Sequence, residues 1–251
     1  MNILSIKKLF NILLIILFLV GSFTSLNVGI SHDEWHEEQN WKFNLEVTKA
    51  AKNKILFDEK SDFEIDANLD KYYGIGFQLI SQPIQFFLKK KVKEHQNVND
   101  FGAKLISKHF VVFLFFFISG ICFFKIIKKI VSNVTIAYFS TFLYLLYPYL
   151  FGHSLFSPKD IPFLAVWLIC TYISFTIFEK LFKNKDLSLK KILFFGLFTS
   201  YLLSIRVTGV LIFFQYLITL LIFINVTDFK IIDFTKKFYK KILYFFSFLF
   251  V

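Results

Sequence analysis

Cysteine, proline, glycine and arginine are all scarce in this chain. Its two cysteines, Cys122 and Cys170, lie inside apolar runs. They supply neither a disulfide framework nor a zinc cluster and read as small buried hydrophobes. Four prolines and nine glycines in 251 residues go with the lack of any low-complexity linker, and no internal repeat is visible. A nucleic-acid partner is excluded by the placement of charge. The net charge is +11, but the basic residues fall between apolar runs instead of forming a patch, which is a topological signal.

What the chain has in abundance is apolar sequence in runs near the length of a membrane span. A hydrocarbon core of about 30 Å needs roughly 20 apolar residues per helix. Complete spans are expected at residues 9–28, 109–127, 131–150, 161–178, 192–207 and 210–226. A seventh begins near Ile242 and is cut short at Val251, so the sequence looks C-terminally truncated. The fold class expected is all-α, a single polytopic membrane domain over 1–251 with six complete helices and part of a seventh. Residues 9–28 could be a cleaved signal peptide, but the run is long for one and five more spans follow, favouring an uncleaved helix.

Residues 31–108 form one long polar segment. Part of it, from Tyr72-Tyr73-Gly74 through Phe86-Phe87-Leu88 to Lys89-Lys90-Lys91, is amphipathic and suits the membrane interface. Residues 97–100 read as a turn. Fifteen lysines sit at alternate helix ends, from Lys7 and Lys8 to Lys240 and Lys241, whereas the short opposite loops hold only Lys159 and Arg206. The positive-inside rule places the N-terminus in the cytoplasm and the 31–108 segment outside, in a multi-pass protein of the cell inner membrane.

Three polar groups fall on that outward face. The first is His32-Asp33-Glu34-Trp35-His36-Glu37-Glu38. Within it Glu37 and Glu38 read as solvated charges and His36 as a surface residue. The second is residues 148–160, with His153, Lys159 and Asp160. Asp160 suits a helix N-cap, with Pro162 in the first turn. The third is Arg206, followed by Thr208 and Gly209. As the single arginine it is not generic positive charge. Its guanidinium is a fixed fork that binds a carboxylate or phosphate bidentately. Its alternative is to snorkel to headgroups.

These pieces resemble the GT-C glycosyltransferases, in the branch of the dolichyl-phosphate-mannose protein mannosyltransferases and the bacterial lipid A sugar transferases. The resemblance rests on Asp33-Glu34, Tyr72-Tyr73-Gly74, Ser157-Pro158-Lys159-Asp160, and Arg206 with Gly209, and covers about residues 1–225. It implies transfer of a sugar from a polyprenyl-phosphate donor to a lipid, glycan or protein hydroxyl outside the cytoplasmic membrane, with inversion. By resemblance the general base is Asp33, with Glu34 as the alternative. Lys159 and Arg206 would stabilise the leaving phosphate, Asp160 would orient Lys159 or hold the sugar, and His153 would lie with the substrate. Carboxylates can also hold Mg²⁺ or Mn²⁺. Here Asp33, Glu34 and His36 would be the ligands, and the cofactor stays open.

Two other readings compete. His32-Asp33-Glu34-Trp35-His36 mimics the zinc-protease motif H-E-x-x-H, but Asp replaces the Glu and no third ligand follows. A transporter or assembly protein would carry helices broken by Gly or Pro at mid-depth. The prolines here fall near expected outer loop ends.

Overall fold

The computed structural model describes residues 3–57, 74–183, 186–227 and 231–247. All regular structure among them is helical: α1 (Ile3–Ser25), α2 (His32–Phe57), α3 (Gly76–Gln96), α4 (Asp100–Val131), α5 (Val134–Leu146), α6 (Pro148–Ser154), α7 (Asp160–Phe182), α8 (Leu189–Ile205), a 3₁₀ turn (Val207–Leu211), α9 (Ile212–Thr227) and α10 (Ile231–Phe246). The protein is an all-α membrane protein. Four segments are long and apolar enough to cross a bilayer: Ile6–Ser25, Asp100–Val131, Asp160–Phe182 and Val207–Val226. The pair α5–α6, bent by 60°, makes a fifth if taken as one span.

The remaining differences from expectation have physical causes. The segment expected as the fifth span is α8, whose 17 residues reach about 25 Å and whose two ends pack level with those of α7. The expected partial seventh span is instead a helix that starts at Ile231. Its Phe238, Ile242 and Phe245 pack on Ile192 and Phe223, while Tyr239, Leu243 and Tyr244 stay exposed. Residues 248–251 lie outside the described residues, as do Tyr72 and Tyr73.

The third expected span breaks at Tyr147. Pro148 has no N–H to continue α5 and forces its predecessor out of the helical region, to φ −61° and ψ 116°. The break lies level with the middle of α4: Tyr144 stacks on Phe116 and Phe123, and Phe151 meets Phe113. Pro148 is therefore not at an outer loop end.

Helix ends sort cleanly. His109, early in α4, meets the Ser25 carbonyl at the end of α1, while Phe10 of α1 meets Phe124 of α4, so the two are antiparallel. Lys129 pairs with Glu179 at the C-terminal ends of α4 and α7, so these run parallel. Arg206 ends α8 beside Asp160 at the start of α7, with Ile192 packed on Ile177 and Leu181 at the opposite end. Phe113, Phe116, Leu145, Ile161, Leu202 and Ile205 form the centre of the bundle.

α3 is turned inside out relative to a helix in water. Gln78, Ser81 and Gln85 are buried, whereas Phe86 and Phe87 are 81% and 75% exposed, beside exposed Leu79 and Ile80. An apolar outer face followed by Lys89, Lys90 and Lys91 fits the membrane interface. The turn expected at 97–100 is present: Asn97 takes the left-handed conformation, and the Asn99 side chain accepts from the Gly102 N–H at 2.7 Å.

Candidate functional site

The acidic stretch is helical because its first residues cap it. The Glu34 Oε1 accepts the Ser31 backbone N–H at 2.7 Å, one half of a capping box. Helical winding then sorts the charges, since residues three and four apart share a face. Glu34 and Glu38 point towards α4. Asp33, His36, Glu37 and Asn40 point into a cleft.

The α4 side is buried and paired. Glu34 is 0% exposed, and its Oε2 lies 2.6 Å from His109 Nε2. His109 Nδ1 lies 3.0 Å from the Ser25 carbonyl, which can only accept, so Nδ1 carries a hydrogen. Glu38 is also fully buried, with Lys104 at 2.5 Å and Lys108 at 3.5 Å. The reading of Glu37 and Glu38 as solvated is thus overturned: Glu37 is 7% exposed and pairs with Lys159. The sequence concealed this because the partner cations of Glu38 are 66 and 70 residues away.

The cleft has a volume of about 400 Å³. Asp33, His36, Glu37 and Asn40 line it from α2, Ser157 to Asp160 from the entry to α7, and Arg206 from the end of α8. Arg206 donates to Asp160 Oδ1, and Ser157 Oγ donates to Asp160 Oδ2 at 3.3 Å. The guanidinium also sits 5.9 Å from the centre of the Phe163 ring, a cation–π contact. Asp160 is the first residue of α7 and Lys159 its N-cap, so the expectation of Asp160 as the cap shifts by one residue. Pro162 does lie in the first turn.

Asp33 differs from its acidic neighbours. It is exposed, lines the cleft and makes no ion pair or side-chain hydrogen bond among the described residues. Asn40 is 2% exposed, and its Nδ2 is buried without a partner in the same wall. A buried donor of this kind calls for a ligand or water oxygen.

Arg206 is held by a close backbone approach. A Cβ on Gly74 would come within 2.3 Å of the Ser204 carbonyl oxygen, and one on Gly76 within 2.0 Å of Ser204 Oγ. Only glycine lets this segment lie against the end of α8.

Of the residues expected from the sequence, the cleft brings together Asp33, His36, Lys159, Asp160 and Arg206. Glu34 is turned away to His109. His153 lies outside the lining, between Tyr149 at 4.3 Å and Phe156 at 5.6 Å. Among the described residues no three His, Cys, Asp or Glu side chains converge where a metal could sit. Asp33, Glu34 and His36 therefore do not form a ligand set. His32 and His36 have their Nε2 atoms 3.1 Å apart on an exposed face, without a third ligand. Glu37, Asn40 and Ser157 line the cleft as well, although the sequence reading gave none of them a site role. For Glu37 and Asn40 the signal was the Ser31-x-x-Glu34 cap, which sets the helical register of α2. Comparison with family models, curated proteins and solved structures finds no match for this chain.

Proposed function

We propose that the protein is a glycosyltransferase that moves a sugar from a polyprenyl-phosphate donor to an acceptor hydroxyl at the outer face of the cell inner membrane. The observation that carries this reading is the open Asp33 carboxylate, in one cleft with the two cations Lys159 and Arg206. A base and an anion-binding pair in one cavity match the two demands of the reaction.

The acceptor oxygen attacks the anomeric carbon while Asp33 takes its proton. The bond from that carbon to the phosphate oxygen breaks, and its electron pair stays on the phosphate. The attack comes from the face opposite the leaving group, so the configuration inverts. Charge gained by the phosphate is met by Arg206 and Lys159. Each cation already has a carboxylate, Asp160 and Glu37, that orients it. Asp160 engages one guanidinium nitrogen, leaving N–H groups to donate to phosphate. The buried Asn40 amide supplies a donor for a sugar oxygen. The apolar outer face of α3 would carry the polyprenyl chain in the interface.

The test is transfer from a radiolabelled polyprenyl-phosphate hexose in membranes containing the protein. Label should reach an acceptor with wild type and not with Asp33→Asn. Equal transfer by both removes the assignment.

One observation favours a second reading, a transporter. The α5–α6 break lies level with the middle of α4, and transporters bind substrate at discontinuous helices. Solute counterflow in proteoliposomes that is indifferent to Asp33→Asn would support it over transfer.

A further inference from the structure

A second groove lies at the opposite end of α7 from the cleft. It runs between the C-terminal ends of α4 and α7 and the side of α9, with a volume of about 730 Å³, within the range of ligand sites. Its rim carries Lys128, Lys129 and Lys183, and Glu179 is the one carboxylate in its lining. Its walls are Phe175, Phe178, Phe182 and Ile222. Phe175, Phe182 and Ile222 are exposed.

The charges are arranged unequally. Glu179 pairs with Lys129 and with Lys183, the latter at 2.7 Å, and so fixes both ammonium groups beside the groove. Lys128 is exposed and makes no ion pair among the described residues. Three lysines against one carboxylate leave two positive charges over an apolar trough. A solvated lysine face would not need the trough, and a neutral lipid would not need the lysines.

We infer that this groove binds one anionic phospholipid, with its phosphate on Lys128, Lys129 and Lys183 and its acyl chain against Phe175, Phe178 and Ile222. Basic pockets between membrane helices at the lysine-rich side take anionic headgroups by the same chemistry. The inference is independent of what the cleft catalyses. The groove is about 30 Å from the cleft along α7, the rise of roughly 20 residues.

The experiment is native mass spectrometry of the full chain from vesicles of phosphatidylcholine with or without phosphatidylglycerol. One phosphatidylglycerol should stay bound in preference to phosphatidylcholine. Lys128→Gln with Lys183→Gln should weaken retention by about fivefold for each lysine removed. Both side chains are exposed, and the Lys129–Glu179 pair survives their loss. Lys8→Gln with Lys240→Gln, outside the groove, should leave retention unchanged. Equal retention of the two lipids, or an equal drop with the Lys8 and Lys240 pair, overturns the site.

Discussion

The Arg206 guanidinium at the end of α8 donates to the Asp160 carboxylate at the start of α7, across 46 residues of sequence. Both residues line the cleft, and so does Asp33, an open carboxylate.

The planar fork is what lysine cannot reproduce. Arg206→Lys keeps the charge but gives up bidentate geometry and the contact with Phe163. Transfer should fall by at least about tenfold in this variant, a loss of roughly 1.4 kcal/mol of transition-state stabilisation. Full activity in the lysine variant would mean that Arg206 supplies charge alone.

Asp33 and Glu34 are adjacent in sequence but differ in environment. Asp33→Asn should cost about 10²-fold or more in rate with no change in melting temperature. Glu34→Gln should instead weaken the fold, because it breaks a buried pair with His109. The loss of a buried hydrogen-bond partner costs about 1–3 kcal/mol. Thermal unfolding in detergent separates the two. An unchanged melting temperature for Glu34→Gln would show that the His109 contact is not structural.

The outline of the bundle was legible in the sequence because apolar runs and alternating lysines are local signals. Arg206, singled out in the sequence by its solitude, does line the cleft. Glu37 and Glu38 were not legible, because nothing near them reveals Lys104, Lys108 or Lys159. Their burial follows from helical phase combined with partners far along the chain. The α5–α6 pair diverged from expectation through Pro148, where composition alone suggested an ordinary span.

Gly74 is a spacing residue for the site. Its Cβ would meet the Ser204 and Ile205 carbonyl oxygens at 2.3 and 2.6 Å, whereas one on Gly152 would meet nothing within 4 Å. Gly74→Ala should push the segment off α8, cost about 1–3 kcal/mol of stability and displace Arg206. Gly152→Ala should do neither. Unfolding curves of the two variants check this, and matching curves would remove the spacing role.

The carboxylates of α2 tie it to α4. In Glu38→Gln, Lys108 is left buried beside a neutral amide, so α2 should open more often. Hydrogen exchange over residues 32–53 should speed up, with exchange in α7 unchanged. Uniform exchange in both helices would show that Glu38 does not hold α2 in place.

The most direct test of the cleft uses no acceptor. Binding of a short-chain polyprenyl phosphate to the full chain in nanodiscs is measured for wild type, Arg206→Lys, Lys159→Gln and Asp33→Asn. The expected result is saturable binding that weakens in Arg206→Lys and Lys159→Gln and persists in Asp33→Asn, because the base acts on the acceptor and not on the phosphate. Equal affinity in all four proteins, or no binding by any, would contradict a phosphate-lipid site in this cleft.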